Sequence, residues 1–119
     1  MAQPPALKTI FDALDNNTRV RRSGETLSAV MRRAAALQPR LVCVEDIHWA
    51  SADLLRHLAA LAADAAQAAM VLVLTSRIEG DPLDKAWRAA IHGSPMLTLD
   101  LAPLRAQDAQ LLARSLVDA

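Results

Sequence analysis

Two short aliphatic runs, "RLVCV" at 40–44 and "MVLVL" at 70–74, constrain this chain more than anything else in it. Each is too uniformly apolar for a strand with one wet face, and reads as a strand covered on both sides. Between them lies a helical pattern. Leu54, Leu55, Leu58, Leu61 and Ala62 share one face, Ser51 stands at the N-cap position, and Asp53 falls in the first turn. Strand, helix and strand in that order make a crossover connection, which brings the strands together as parallel neighbours.

The remainder extends the alternation. Leu7, Ile10, Phe11 and Leu14 predict a short amphipathic helix, and "DNNTRVRRSG" at 15–24 reads as a loop. Ser23 then suits the N-cap of a helix whose apolar positions are Leu27, Val30, Met31, Ala34 and Leu37, ended by Pro39. Past the second run, "IEGDP" is a loop and Pro82 to about Ile91 a short helix carrying Trp87. "MLTLDL" at 96–101 predicts a third, weaker strand. Pro103 precedes a final helix with Leu104, Ala109, Leu112 and Leu116 on one side. The expected fold class is α/β, with about three mainly parallel strands (41–46, 70–76, 96–101) flanked by helices in three layers.

Composition narrows the function. Thirteen basic and thirteen acidic residues among 119 leave no net field to draw the chain to nucleic acid or an anionic membrane. The stretch Leu54–Leu74 is interrupted by Arg56, His57, Asp64 and Gln67, which argues against a membrane span. One cysteine, Cys43, precludes an intrachain disulfide. In the middle of an apolar strand it reads as a small buried hydrophobe. With no secretory pattern at "MAQPPALK", a cytoplasmic protein is expected, and the "NNT" sequon at 16–18 carries no weight.

Chemistry concentrates where the first apolar run meets Glu45 and Asp46. In parallel α/β sheets ligands gather at the carboxyl ends of strands, and Thr75, Ser76 and Arg77 stand at the end of the next strand. Adjacent acids on an extended backbone point to opposite faces, so they form no close carboxylate dyad. One can hold a metal through water while the other orients a nucleophilic water, a division of labour that suits nucleotide hydrolysis.

"LVCVEDIHWA" at 41–50 resembles the Walker B element of AAA-like, STAND-type P-loop ATPase modules. "VLVLTSRIEG" is similar to that family's following sensor strand, and "LTLDLAPLRAQDAQLLA" to the entry into its helical lid. Such modules accompany output domains in bacterial class III adenylate/guanylate cyclase-like proteins and LuxR-type regulators. The resemblance implies a partial P-loop NTPase-like fold. Residues 1–103 would be the C-terminal part of the nucleotide-binding domain, and 104–119 the start of the lid. It implies Glu45 and Asp46 as the acids that hold magnesium through water, with Asp46 also activating the attacking water. Arg77, or Thr75, would sense the γ-phosphate. His48 and Trp49 match family positions, Trp49 as an anchor for the following helix.

One departure matters. No G-x-x-x-x-G-K-[ST] exists, and none of Gly24, Gly80 and Gly93 precedes a lysine. The phosphate cradle is built from that loop. ATP and magnesium are therefore expected in a complete parent domain but not in this chain. Its expected partners are the rest of that ATPase domain and an output domain. In the family the P-loop strand lies between the sensor strand and the last strand. Without it, 96–101 is expected either to close directly onto 70–76 or to leave an edge through which two copies pair.

Other constellations are weaker. His48, His57 and His92 are too scattered for a zinc site, and no G-x-S-x-G accompanies Ser51 or Ser76. Arg19, Arg21, Arg22, Arg32 and Arg33 read as a solvated helix face. The alternative to an ATPase fragment is a nucleotide-independent interaction or assembly module on the same scaffold.

Overall fold

The structure, a computed structural model, describes residues 7–9, 15–91 and 93–119. Residues 7–9 are helical; the rest of the helix predicted over 7–14, and His92, lie outside the described residues. The elements that follow are α1 (Asn16–Leu37), β1 (Arg40–Val44), a 3-10 turn (Ile47–Trp49), α2 (Ala52–Ala65), β2 (Met70–Leu74), α3 (Lys85–Ala90) and α4 (Ala106–Val117).

The predicted strand–helix–strand unit is present. β1 and β2 pair in parallel, in register from Arg40 opposite Met70 to Val44 opposite Leu74. Ser51 caps α2 by accepting the Leu54 N–H at 3.2 Å. The helix buries Leu58, Ala59 and Leu61. Two apolar clusters form on this side of the sheet. One joins Ala35, Leu61 and Met70, with Val42 and Leu72 packed against it. The other joins Ile47, Leu58, Ala59, Leu83, Trp87 and Ile91, with Val44 and Leu74 against it. Trp87 lies inside the second cluster, its indole N–H donating to the Leu55 carbonyl at 2.9 Å.

Three expectations are corrected. First, the sheet is covered on one face only. Val42, Val44, Leu72 and Leu74 are half-buried, while Leu41, Cys43, Val71 and Val73 are exposed. Cys43 is thus not a core residue; it sits on the bare face because no helix packs there. Second, 96–101 is not a strand, and the sheet has two strands rather than three. Leu97, Leu99 and Leu101 are exposed, and the segment is tied instead to α3, where the Arg88 guanidinium donates to Thr98 Oγ1 at 3.3 Å and Met96 Sδ at 3.4 Å. An alternating strand pattern forms no ladder without a neighbour to complete it.

Third, the expected loop at 15–24 is helix. Asp15 supplies the cap, accepting the Thr18 N–H at 2.9 Å and the Thr18 hydroxyl at 2.8 Å, so the helix begins eight residues ahead of Ser23. Ser23 and Gly24 fall within it. The face turned inward is Gly24, Ser28 and Ala35, with Leu27, Met31 and Ala34 only half-buried; Val30 and Leu37 point to solvent. Small residues let α1 approach α2 closely. At Gly24 the reason is specific: a Cβ there would lie 2.6 Å from Cδ2 of His57. The His57 ring occupies that space and its Nε2 donates to the Val20 carbonyl at 2.7 Å.

Two outcomes follow from these contacts. Glycine inside a helix normally costs about 1 kcal/mol relative to alanine. Gly24→Ala should nevertheless lower stability by about 1 kcal/mol, because the ring must leave and forfeit its hydrogen bond. In a His57→Ala background the same substitution should stabilise instead; urea denaturation of the four proteins measures the reversal. At Asp15, the Thr18 N–H and then its hydroxyl hold the carboxyl below its ordinary value of 3.8. A pKa lowered by folding contributes stability above the unfolded value and loses it as pH falls through the folded one. The stability difference between the native chain and Asp15→Asn should therefore shrink in thermal melts as pH falls through and below 3.8.

Candidate functional site

The carboxyl ends of β1 and β2 meet through one residue. Thr75 donates its N–H to the Val44 carbonyl at 3.1 Å, the last rung of the ladder. Its carbonyl accepts the Ile47 N–H at 3.0 Å, and its hydroxyl accepts the Asp46 N–H at 3.1 Å. Thr75 therefore holds the last residue of β1 and two residues of the loop that follows, Asp46 and Ile47. Its hydroxyl keeps a proton free to donate outward.

Asp46 is the turning point. It lies in the left-handed region, φ 57° and ψ 40°, the one non-glycine residue with positive φ among those described. Such a residue carries a backbone cost that aspartate and asparagine bear best. The chain then tightens into the 3-10 turn, with the Trp49 N–H on the Asp46 carbonyl at 3.0 Å and the Ala50 N–H on the Ile47 carbonyl at 2.9 Å. Ile47 is 2% exposed, and it is this residue that anchors the turn into the core. Trp49, expected to do so, is 79% exposed.

Because Asp46 leaves the extended conformation, strand alternation no longer sets where its side chain points relative to Glu45. Both carboxylates are exposed at the strand end. Arg77 is brought to the same end through its backbone: its N–H donates to His48 Nδ1 at 3.4 Å. That bond puts the imidazole proton on Nε2, which is buried and has no hydrogen-bond partner. The His48 and Trp49 rings stand 5.2 Å apart, tilted by 46°. The sequence singled out the four residues Glu45, Asp46, Thr75 and Arg77, and the fold gathers all four at one end of the sheet. The bond from His48 to Arg77 was not legible; only the adjacency of a histidine to the acids hinted at it.

The chemistry available is that of an open, acidic strand end with one arginine. Among the described residues no three His, Cys, Asp or Glu side chains group as a metal site. Of the arginines on α1, Arg21, Arg22, Arg32 and Arg33 are exposed while Arg19, expected on the same solvated face, is half-buried; Arg32 pairs with Asp64 of α2 at 3.8 Å, and Arg21 with Glu25 at 4.0 Å beside an open hollow lined by Arg21, Arg22, Glu25, Thr26 and Ala29.

No protein-family model, curated protein or solved structure matches this chain. The functional reading therefore rests on the residues and their geometry.

Removing the clamp tests its structural part. Thr75→Val deletes the acceptor for the Asp46 N–H and should cost about 1 kcal/mol. Asp46→Gly relieves the left-handed backbone and should raise stability by up to about 1 kcal/mol, whereas Asp46→Val should lower it by more. Chemical denaturation of the three variants checks the order.

Proposed function

We propose that this chain is the Walker B-to-lid portion of a STAND/AAA-like P-loop ATPase module, belonging to a cytoplasmic adenylate cyclase-like or LuxR-type signalling protein. One observation carries the reading most. The Thr75 clamp sets Glu45 and Asp46 at the carboxyl end of a parallel strand, and Arg77 follows the end of the next one. Aspartate held at a backbone position that glycine would occupy more cheaply also points to a role for its carboxylate.

In the parent domain, magnesium would neutralise phosphate charge and position the γ-phosphoryl group. Glu45 and Asp46 would bind its waters, and Asp46 would orient the attacking water. Arg77 would contact the γ-phosphate, with Thr75 fixing the loop that carries Asp46. Without a glycine-rich loop and its lysine, this chain supplies only the acid side of the site. The parent would be a slow switch whose nucleotide state governs an output domain. The rest of the ATPase domain would fill the free edge of β2, with pairing of two copies through that edge as the alternative. Membrane and direct nucleic-acid partners are not part of the reading; among the described residues no helix is long and apolar enough to cross a membrane.

A second reading, a nucleotide-independent interaction module, draws support from the bare apolar face of the sheet. Manganese, as a paramagnetic stand-in for magnesium, separates the two. Amide NMR signals should broaden selectively around 44–48 and 75–77 at millimolar manganese, and this should vanish in Glu45→Gln/Asp46→Asn. Added ATP should bind only weakly, beyond about 1 mM, for want of the phosphate loop. Uniform broadening, or broadening unaffected by the double substitution, would favour the interaction module.

A further inference from the structure

We infer that the bare face of the sheet is a docking surface for α4 of a second copy of this chain, exchanged reciprocally to make a two-fold dimer. The face presents two in-register pairs, Leu41 with Val71 and Cys43 with Val73, all exposed. A parallel pair of strands is stable when both faces are covered, and here α2 and its neighbours cover one. The same chain carries an apolar surface with nothing on it. Ala109, Leu112, Ala113, Leu116 and Val117 form one stripe of α4, and no residue of that helix is buried.

The two surfaces match in size. Twelve helical residues extend about 18 Å. The five-residue strands extend about 17 Å. Ala109 and Ala113 in the middle of the stripe allow a helix to lie close on a sheet. Area points the same way. Leu41, Val71, Val73, Leu112, Leu116 and Val117, with Leu97, Leu99 and Leu101 of the linking segment, are each between 39% and 85% exposed. Together they offer roughly 400–700 Å² of apolar surface per protomer. A stable dimer buries about 800 Å² per partner, about two-thirds of it apolar.

The tether selects a neighbour over the chain's own sheet. Arg88 holds Met96 and Thr98 against α3, and α3 packs with α2 on the covered side. The seven residues 99–105 span at most about 25 Å and would have to round the sheet to bring α4 across its own strands. As it stands, α4 leaves every one of its residues unburied. Reciprocal exchange closes the assembly, because each copy gives one helix and receives one. This inference does not depend on nucleotide binding.

Cys43 is a built-in reporter, since its thiol lies under the docked helix. The experiment combines sedimentation velocity with the rate of Cys43 labelling by a maleimide, from about 1 to about 200 μM protein. Leu112→Lys/Leu116→Lys is the comparison; neither residue is buried within the protomer, so the fold should survive, as circular dichroism will check. A dimer is expected at the upper concentrations, with Cys43 labelled at least about tenfold more slowly than at the lowest, and both effects lost in the double variant. A monomer whose Cys43 reacts freely at every concentration overturns the inference. So does protection that is independent of concentration, which would mean that α4 covers its own sheet. A dimer that survives the double substitution with Cys43 reactive would place the contact at the strand edge instead.

Discussion

The parallel ladder between β1 and β2 is the constraint from which the rest of this structure takes its position. It can form only because α2 crosses between the strands, and it ends where Thr75 takes over from the regular rungs. Thr75 turns the strand end into a defined loop by engaging Val44, Asp46 and Ile47 of the neighbouring segment through its N–H, hydroxyl and carbonyl. The apolar clusters beneath both strands then fix α1 and α3 relative to that ladder. Sheet and site are thus one construction, because the residue that closes the ladder also places the acids.

The electrostatic character of the strand end follows from this geometry. Two carboxylates are exposed to water, and neither is tied to a cation of the chain by an ion pair among those found. Arg77 reaches the same region through a backbone bond to a histidine rather than through its own charge. The strand end is therefore open and acidic.

Where the sequence was legible, the reason was local. Uniform apolar runs marked β1 and β2, and a capping serine marked α2. Where it misled, the deciding contact was distant in sequence. Gly24 read as a loop glycine because nothing near it announced His57, 33 positions away, whose ring takes the volume of its missing side chain. Cys43 read as buried because apolar strands are usually sandwiched; how many layers surround a strand is a property of the assembly. The pattern at 96–101 was a true strand pattern without a strand, since pairing needs a partner that periodicity cannot supply. At Asp46 the left-handed backbone was invisible in composition, although an aspartate closing an aliphatic run is among the few residue types that could adopt it.

One packing detail has a mechanical side. Ile47, buried directly after Asp46, shares a cluster with Trp87 of α3, and Trp87 is hydrogen-bonded to the backbone of α2. The next residue, Arg88, grips Met96 and Thr98 at the root of the C-terminal segment. A pull on that segment is borne first by the arginine, then by the tryptophan wedge, and finally by the isoleucine under the acidic loop. The tail and the acidic loop are thus joined by a continuous run of contacts through α3.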